Sequence, residues 1–468
     1  MAKHTSLANP QTRFIRILAL LVASLLLVSC SPAAQNPAGS DKDPTGGTEP
    51  VTGKTETPSS IFEGQVGQDW YAFKIPLFTD EVRVRDLAYG AGKLWAVGSQ
   101  RGYNFDTYRT PFLFSSPDGL NWEQVDLTAL GIPEDLTGQA QVLGSDKTIT
   151  VIFENPRGED ALGDRPQRRP WILRGDGETW RLISEDTFGP WQVNNRGTGK
   201  FLHYWDLAAF EEKDGQLLLM PSIGWFEPFA TGDRNLSLGI VTADDQAELI
   251  ADMDIFASSY NLQTVSKVLV YKDEYWAFTN SYMPRGYVGG SLFFNIWRSA
   301  DGRTWTNETP PFEGMLDYTE INDVVIGPKG LLATGWNANQ DDETEFPETP
   351  IPISLFSADG TSWTSAPIGQ STQTDFKVAV TDSTYYAYDG EAHIWFSGDG
   401  LTWEEASPLD IKKLSADKDW IEDQARDRAI FKILSFPGGL IALSGNRLSM
   451  GTHLLFSGDL PFDYLSHK

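Results

Sequence analysis

One aspartate recurs in a fixed setting along this chain, Ser-x-Asp-Gly-x-x-Trp. The copies are Ser116, Asp118, Gly119 and Trp122; Ser299, Asp301, Gly302 and Trp305; Ser357, Asp359, Gly360 and Trp363; and Ser397, Asp399, Gly400 and Trp403. A variant, Asp176, Gly177 and Trp180, has Arg174 in the place of the serine, and two worn copies centre on Asp244 and Asp459. A carboxylate in a tight turn accepts hydrogen bonds from backbone N–H groups two residues on. The serine adds a second local bond, and the tryptophan buries its ring where the hairpin meets its neighbour. Each of these jobs is structural, so the seven aspartates read as turn holders rather than as acids or bases.

Other chemistry is thinly represented. After the leader, His203, His393, His453 and His467 are scattered over different units without ligand spacing, so no metal is expected. No serine elbow, phosphate loop or dinucleotide fingerprint stands out, and no cofactor is expected. The acidic run Asp341-Asp342-Glu343-Thr344-Glu345 could bind calcium weakly, but reads first as a solvated loop. With 64 Asp+Glu against 37 Lys+Arg, a net charge of −27, the chain is a poor candidate for nucleic acid, which needs basic patches.

The elements that carry the repeated turn are short strands. An apolar run such as Leu94-Trp95-Ala96-Val97 or Leu331-Leu332-Ala333 is followed by a loop of variable length. Then come a second strand, the Asp-Gly turn and a strand opened by the tryptophan. The Asp-Gly pair is strong hairpin chemistry. A further strand upstream, as in Asp323-Val324-Val325-Ile326, makes four per unit. Seven such units share residues 61–468 at roughly 58 residues each, and repeats of this kind arranged radially form a β-propeller. The fold class is all-β: a seven-bladed β-propeller of four-stranded antiparallel blades. Gln68-Asp69-Trp70-Tyr71-Ala72-Phe73 reads as a fourth strand lacking its first three, so this N-terminal strand is expected to complete or extend blade seven and hide the open edge. A helix-like stretch over 415–428 reads as an insertion between blades six and seven.

The N-terminus is a targeting segment. Lys3, Arg13 and Arg16 precede an apolar stretch from Ile17 to Val28, too short for a comfortable membrane span. It ends in Leu27-Val28-Ser29-Cys30, which resembles the bacterial lipobox, and Cys30 is the only cysteine. The resemblance implies cleavage after residue 29, diacylglyceryl on the Cys30 sulfur and an acyl chain on the new amino group. Several acyl chains anchor stably where one would be marginal. The expected organisation is thus a lipoprotein signal peptide over 1–29, the lipidated cysteine and a disordered linker over 30–60, and the propeller over 61–468. The Pro/Gly/Ser/Thr-rich linker would reach about 30 Å. The body is then exported and lipid-anchored to the outer face of the cell membrane, or to the outer membrane in a two-membrane host.

The repeated motif resembles the Asp-box, or BNR repeat, of sialidases and many non-enzymatic propellers, although one residue is missing here between Asp and Gly. In that family the turns lie on the face opposite the active site. The sialidase members place an arginine in a Phe/Tyr-Arg-Ile-Pro string near the start of the body, where this chain has Phe73-Lys74-Ile75-Pro76. Lysine cannot make arginine's planar bidentate clamp on a carboxylate. Recognition on a propeller is expected on the face built by the loops between strands two and three. Arg101, Tyr103, Arg109, Arg168, Trp225, Arg234, Arg285, Tyr287 and Trp336 are the candidate ligand face there. The same loops could instead simply pack on one another. The favoured function is a non-catalytic binding or scaffolding module for an envelope protein or glycan; the alternative is an exo-acting glycoside hydrolase of sialidase type. The oligomeric state is left open.

Overall fold

The most apolar runs become the second strand of each blade and are buried on both faces. Ile149–Phe153 is inaccessible throughout, and Lys93–Gln100 and Gly330–Ala338 nearly so, as sheets stacked between two neighbours require. The computed structural model describes residues 62–78, 82–100, 110–134, 136, 140–153, 170–184, 187, 206–222, 238–250, 262–284, 290–310, 318–338, 350–371, 373–414, 428–437, 439–446 and 450–457. All belong to the second of the two units into which the chain divides, Glu56–Lys468.

Seven four-stranded antiparallel blades form a ring. Their first, innermost strands are Val82–Gly90, Ala140–Gly144, Asp206–Lys213, Leu262–Tyr271, Tyr318–Gly327, Lys377–Val380 and Arg428–Phe436. Every seam between blades holds its own apolar cluster. Trp95 meets Val142 between blades 1 and 2, Ile172 meets Leu219 between 2 and 3, and Leu218 meets Tyr275 between 3 and 4. Trp276 meets Leu355 between 4 and 5, Leu332 meets Val378 between 5 and 6, and Ile394 meets Leu455 between 6 and 7.

The ring closes within blade 7, where the N-terminal strand joins the C-terminal ones as the sequence suggested. The C-terminal part of the chain supplies Arg428–Phe436, Gly439–Asn446 and Met450–Ser457, and the fourth strand of blade 7 is Trp70–Lys74. It pairs antiparallel in the register Trp70 to Ser457, Ala72 to Leu455 and Lys74 to His453. The N-terminal segment both completes and extends the blade, because Phe62–Gly67 adds a fifth strand outside it. Glu63 on that strand reaches buried His453, Oε2 to Nε2 3.1 Å. Phe73, Phe114 and Phe456 then join one cluster across the closure. The helix-like stretch lies outside the described residues except at its last residue, Arg428, which opens a strand instead.

The five intact Asp-Gly turns share one geometry. In each, the aspartate Oδ1 accepts the backbone N–H groups two and three residues on, at 2.7–2.9 Å. Ser116, Ser299, Ser357 and Ser397 donate to that oxygen and accept the glycine N–H at 2.8–2.9 Å. The indoles of Trp122, Trp305 and Trp363 donate back to the glycine carbonyl. Trp403 does so through Ser354 Oγ. Arg174, standing where the other turns have serine, reaches blade 3 instead. It donates to the Gly215 carbonyl at 2.6 Å and pairs with Glu212 and Asp245. In the worn copy of blade 3, Asp244 accepts from Thr242 Oγ1, and Asp245 takes the left-handed backbone position (φ 64°) that glycine holds elsewhere. Asp459 lies outside the described residues.

In the intact turns the glycine position leaves little room for a side chain. Gly360 has φ +81°, and a Cβ on it would lie 2.4 Å from the Trp276 ring of the preceding blade. Gly398, two residues before the Asp-Gly glycine of the next blade, has open space around it. Gly360→Ala should therefore cost about 2–4 kcal/mol, combining the left-handed penalty with overpacking. Gly398→Ala should change stability by less than about 1 kcal/mol, with urea unfolding of the two variants as the check.

Candidate functional site: the axial channel

The alternating turns of antiparallel blades put the Asp-Gly turns and the strand 1–2 turns on one face. The strand 2–3 loops lie on the other. Contacts on the Asp-Gly face tie neighbouring blades together: Lys213 Nζ donates to the Ala300 carbonyl and Lys272 Nζ to the Asp359 carbonyl. On the same face Asp118, Asp176, Asp301, Asp359 and Asp399 each spend one carboxylate oxygen on two backbone N–H groups of their own turn.

Between the faces, the innermost strands enclose a cavity of about 580 Å³ on the axis. What lines it follows from a repeated irregularity. The inner strands of blades 1, 3, 4, 5 and 7 each slip register once, between Val84 and Asp86, Leu207 and Ala209, Val265 and Lys267, Ile321 and Asp323, and Ile430 and Lys432; all but blade 3 carry a charged residue at the slip. A bulge inserts an extra residue and re-aims the side chains around it. Here it breaks the in–out alternation so that buried apolar residues flank a charged one that lines the cavity.

Asp86 and Asp323 do the same work in two places. Asp86 accepts its own neighbour's N–H from Leu87 at 2.9 Å, the N–H of Val142 on blade 2 at 2.9 Å, and Lys432 Nζ from blade 7 at 2.5 Å. Asp323 accepts Val324 N–H at 2.9 Å, Val378 N–H of blade 6 at 3.3 Å, and Lys267 Nζ of blade 4 at 3.1 Å. Each carboxylate joins three consecutive blades. In blade 6, where no such aspartate stands, the Tyr388 hydroxyl accepts Ile433 N–H of blade 7 at 3.0 Å. Burial holds that phenol well above its ordinary range.

The carboxylates sit deep and the amines reach out. Asp86 and Asp323 are each 17% exposed, whereas Lys267, Lys377 and Lys432 are 36–40% exposed. Asp323 raises the Lys267 pKa against the opposing effect of burial, so this ammonium is charged at any physiological pH. Glu211 on the inner strand of blade 3 is pushed up to about 7, by burial first and by the charge of Glu212, against the Glu212 N–H and Lys267. Neither the aspartates nor the lysines were singled out in the sequence. The signal available was the pattern apolar–x–charged–apolar, in Val84-Arg85-Asp86-Leu87, Val265-Ser266-Lys267-Val268, Ile321-Asn322-Asp323-Val324 and Ile430-Phe431-Lys432-Ile433.

The candidate ligand face is placed only in part. Arg101, Tyr103, Arg109, Arg168, Trp225, Arg234, Arg285 and Tyr287 lie outside the described residues, as do Cys30, His203, His467 and the acidic run. Trp336 is a correction: it stands within strand 2 of blade 5, Gly330–Ala338, not in the loop. It is 8% exposed and donates to Glu320 Oε2 at 3.1 Å. Its indole is needed there because burial would otherwise leave that carboxylate poorly served. Lys74 ends the fourth strand of blade 7 and is not among the residues lining the cavity, where Arg85 is the one arginine among the described residues. His393 Nδ1 lies 2.8 Å from buried Asp389 Oδ2, but Ser371 Oγ donates to that same oxygen rather than to the imidazole. Asp389 also accepts the N–H groups of Glu391 and His393, so this trio holds the short strand 2–3 turn of blade 6. Among the described residues no three His, Cys, Asp or Glu group as metal ligands.

Fold and channel define a seven-bladed β-propeller with a polar axial cavity. No family model matches the sequence, and no curated protein matches it. Among solved structures the chain is similar to YCF48 from Cyanidioschyzon merolae, at 15% identity over 84% of this chain and 100% of that one, TM-score 0.42. It is similar to the β-propeller domain of the Trilobed protease from Pyrococcus furiosus, at 10% identity over 81% and 95%, TM-score 0.43. It is also similar to Trypanosoma rangeli sialidase in complex with the inhibitor DANA, at 10% identity and TM-score 0.38. That match covers 70% of this chain and 54% of the sialidase.

The raised Glu211 predicts a pH effect. Its folded pKa of about 7 lies above the unfolded value of 4.5, so its contribution to stability is complete below about pH 4.5 and is lost as pH rises through 7. Glu211→Gln should match the parent in melting temperature at pH 5 and exceed it at pH 8, by the equivalent of about 1–3 kcal/mol. A pH series of thermal melts checks this. The Asp-Gly turns act at the other end. Backbone N–H groups hold Asp176, Asp359 and Asp399 below the usual carboxylate range, so their contribution is present above about pH 4 and lost as pH falls through the depressed values.

Proposed function

We propose that the protein is an exported, lipid-anchored propeller of Asp-box type that works as a non-catalytic binding or scaffolding module for an envelope protein or glycan. One observation carries the reading over hydrolysis. Among the described residues the two carboxylates lining the axial cavity, Asp86 and Asp323, are each held by two backbone N–H groups and a lysine. Glycoside hydrolysis needs a carboxylic acid able to deliver a proton beside a second carboxylate acting as base or nucleophile. Carboxylates locked as acceptors in the frame suit neither task, whereas a polar cavity walled by paired strands suits recognition. The lipid anchor at Cys30 and the 30–60 linker would hold this cavity a short distance from the membrane.

A photo-crosslinking residue placed at Ser435, in the cavity wall, and separately at Gly398, on the Asp-Gly face, tests the reading in the cells that make the protein. Ser435 should capture an envelope protein or glycan and Gly398 should not. Cys30→Ala should release the protein from the membrane fraction and lower the capture. Equal labelling from both positions, or release of sugar from a glycan panel by the purified protein, would overturn it.

A further inference from the structure

We propose that the wall of the channel formed by blades 6, 7 and 1 is an anion site, which takes a carboxylate or phosphate group of the ligand at Lys377, Lys432 and Arg85. This names the ligand class for the cavity described above and so rests on the binding reading.

The charge on this wall is opposite to that of the chain. Acidic residues outnumber basic ones 64 to 37 overall, yet the cavity is lined by Arg85, Lys267, Lys377 and Lys432 against Asp86 and Asp323. Three of these cations stand on consecutive inner strands. Lys377 Nζ donates to the Phe431 carbonyl of blade 7 at 3.3 Å, which brings it beside Lys432, and Lys432 pairs with Asp86, the neighbour of Arg85. A low-dielectric cleft lined mainly by one sign focuses the field on a ligand of the other sign.

Hydrogen-bonding capacity points the same way. An ammonium has three N–H donors, and an ionised carboxylate only accepts. Lys432 directs one donor to Asp86; Lys377 directs one to a backbone carbonyl and lies 3.8 Å from Asp375, which is 67% exposed. Asp86 already accepts three bonds. The wall therefore holds donors in excess of acceptors, the match for an oxyanion rather than for a neutral or cationic group. On the opposite wall Lys267 is offset by Asp323 and Glu211, so the excess lies on one side.

The test uses purified full-length protein and four sugars at equal ionic strength: glucuronate, glucose 6-phosphate, glucose and glucosamine. A ligand that binds the folded state raises the melting temperature with its concentration. Glucuronate or glucose 6-phosphate should do so, and which of the two is stronger separates a carboxylate ligand from a phosphate one. Glucose and glucosamine should not. Lys377→Gln keeps a donor for the Phe431 carbonyl and leaves the Lys432–Asp86 pair intact. It should weaken the anion roughly tenfold. Asp375→Asn removes the competing acid at the rim and should tighten it. The proposal is overturned if neither anion exceeds glucose, or if Lys377→Gln binds them as well as the parent. Should Ser435 still capture a partner in cells while both anions fail here, the binding reading stands and only the anion site falls.

Discussion

The ring depends on one kind of contact, a carboxylate at an inner-strand bulge that accepts backbone N–H groups from its own blade and the next while pairing with a lysine of the blade before. Apolar seams press blades together but are non-directional and do not by themselves fix how far each blade turns about the axis. Asp86 and Asp323 supply that direction, because a bond to a backbone N–H of the neighbouring inner strand exists in one register only. Asp86 does this where the N- and C-terminal parts of the chain meet: blade 7 is held to blade 1 by charge at the axis, while the N-terminal strand pairs into blade 7 itself.

Two sets of aspartates therefore share one chemistry and differ in visibility. Those of the Asp-Gly turns were legible because turn, glycine and tryptophan recur at constant spacing, and the same repetition fixed blade number and strand order. The N-terminal closing strand was legible because Trp70 opens a strand with no turn before it. Asp86 and Asp323 were not, because the bulge that aims them is a two-residue interruption in a short apolar run, and a bulge leaves no residue type of its own. Trp336 misled for a related reason: an aromatic just beyond an apolar strand looks like a loop anchor, whereas the strand continues through it to Ala338 and needs its indole for Glu320.

The same bulges that lock the frame also furnish the cavity. The aspartates turn to the backbone and pair with lysines, so that an acidic protein has a cavity lined by Arg85, Lys267, Lys377 and Lys432 beside Asp86 and Asp323. On the proposed reading structure and recognition are coupled there, since removing an aspartate would free a lysine and loosen a blade in one step. The Asp-Gly face is built for packing, as where Gly360 is pressed against the Trp276 ring of the preceding blade.

The most direct measurement is a double-mutant cycle on Asp86 and Lys432, comparing Asp86→Asn, Lys432→Met and the pair by urea unfolding. If this contact closes the ring, the two substitutions are strongly non-additive, with a coupling of about 1 kcal/mol or more, and Asp86→Asn alone costs clearly more because two backbone N–H groups lose a charged acceptor. Additivity within about 0.5 kcal/mol would contradict the account and return the closure to the seams and the outer strands alone.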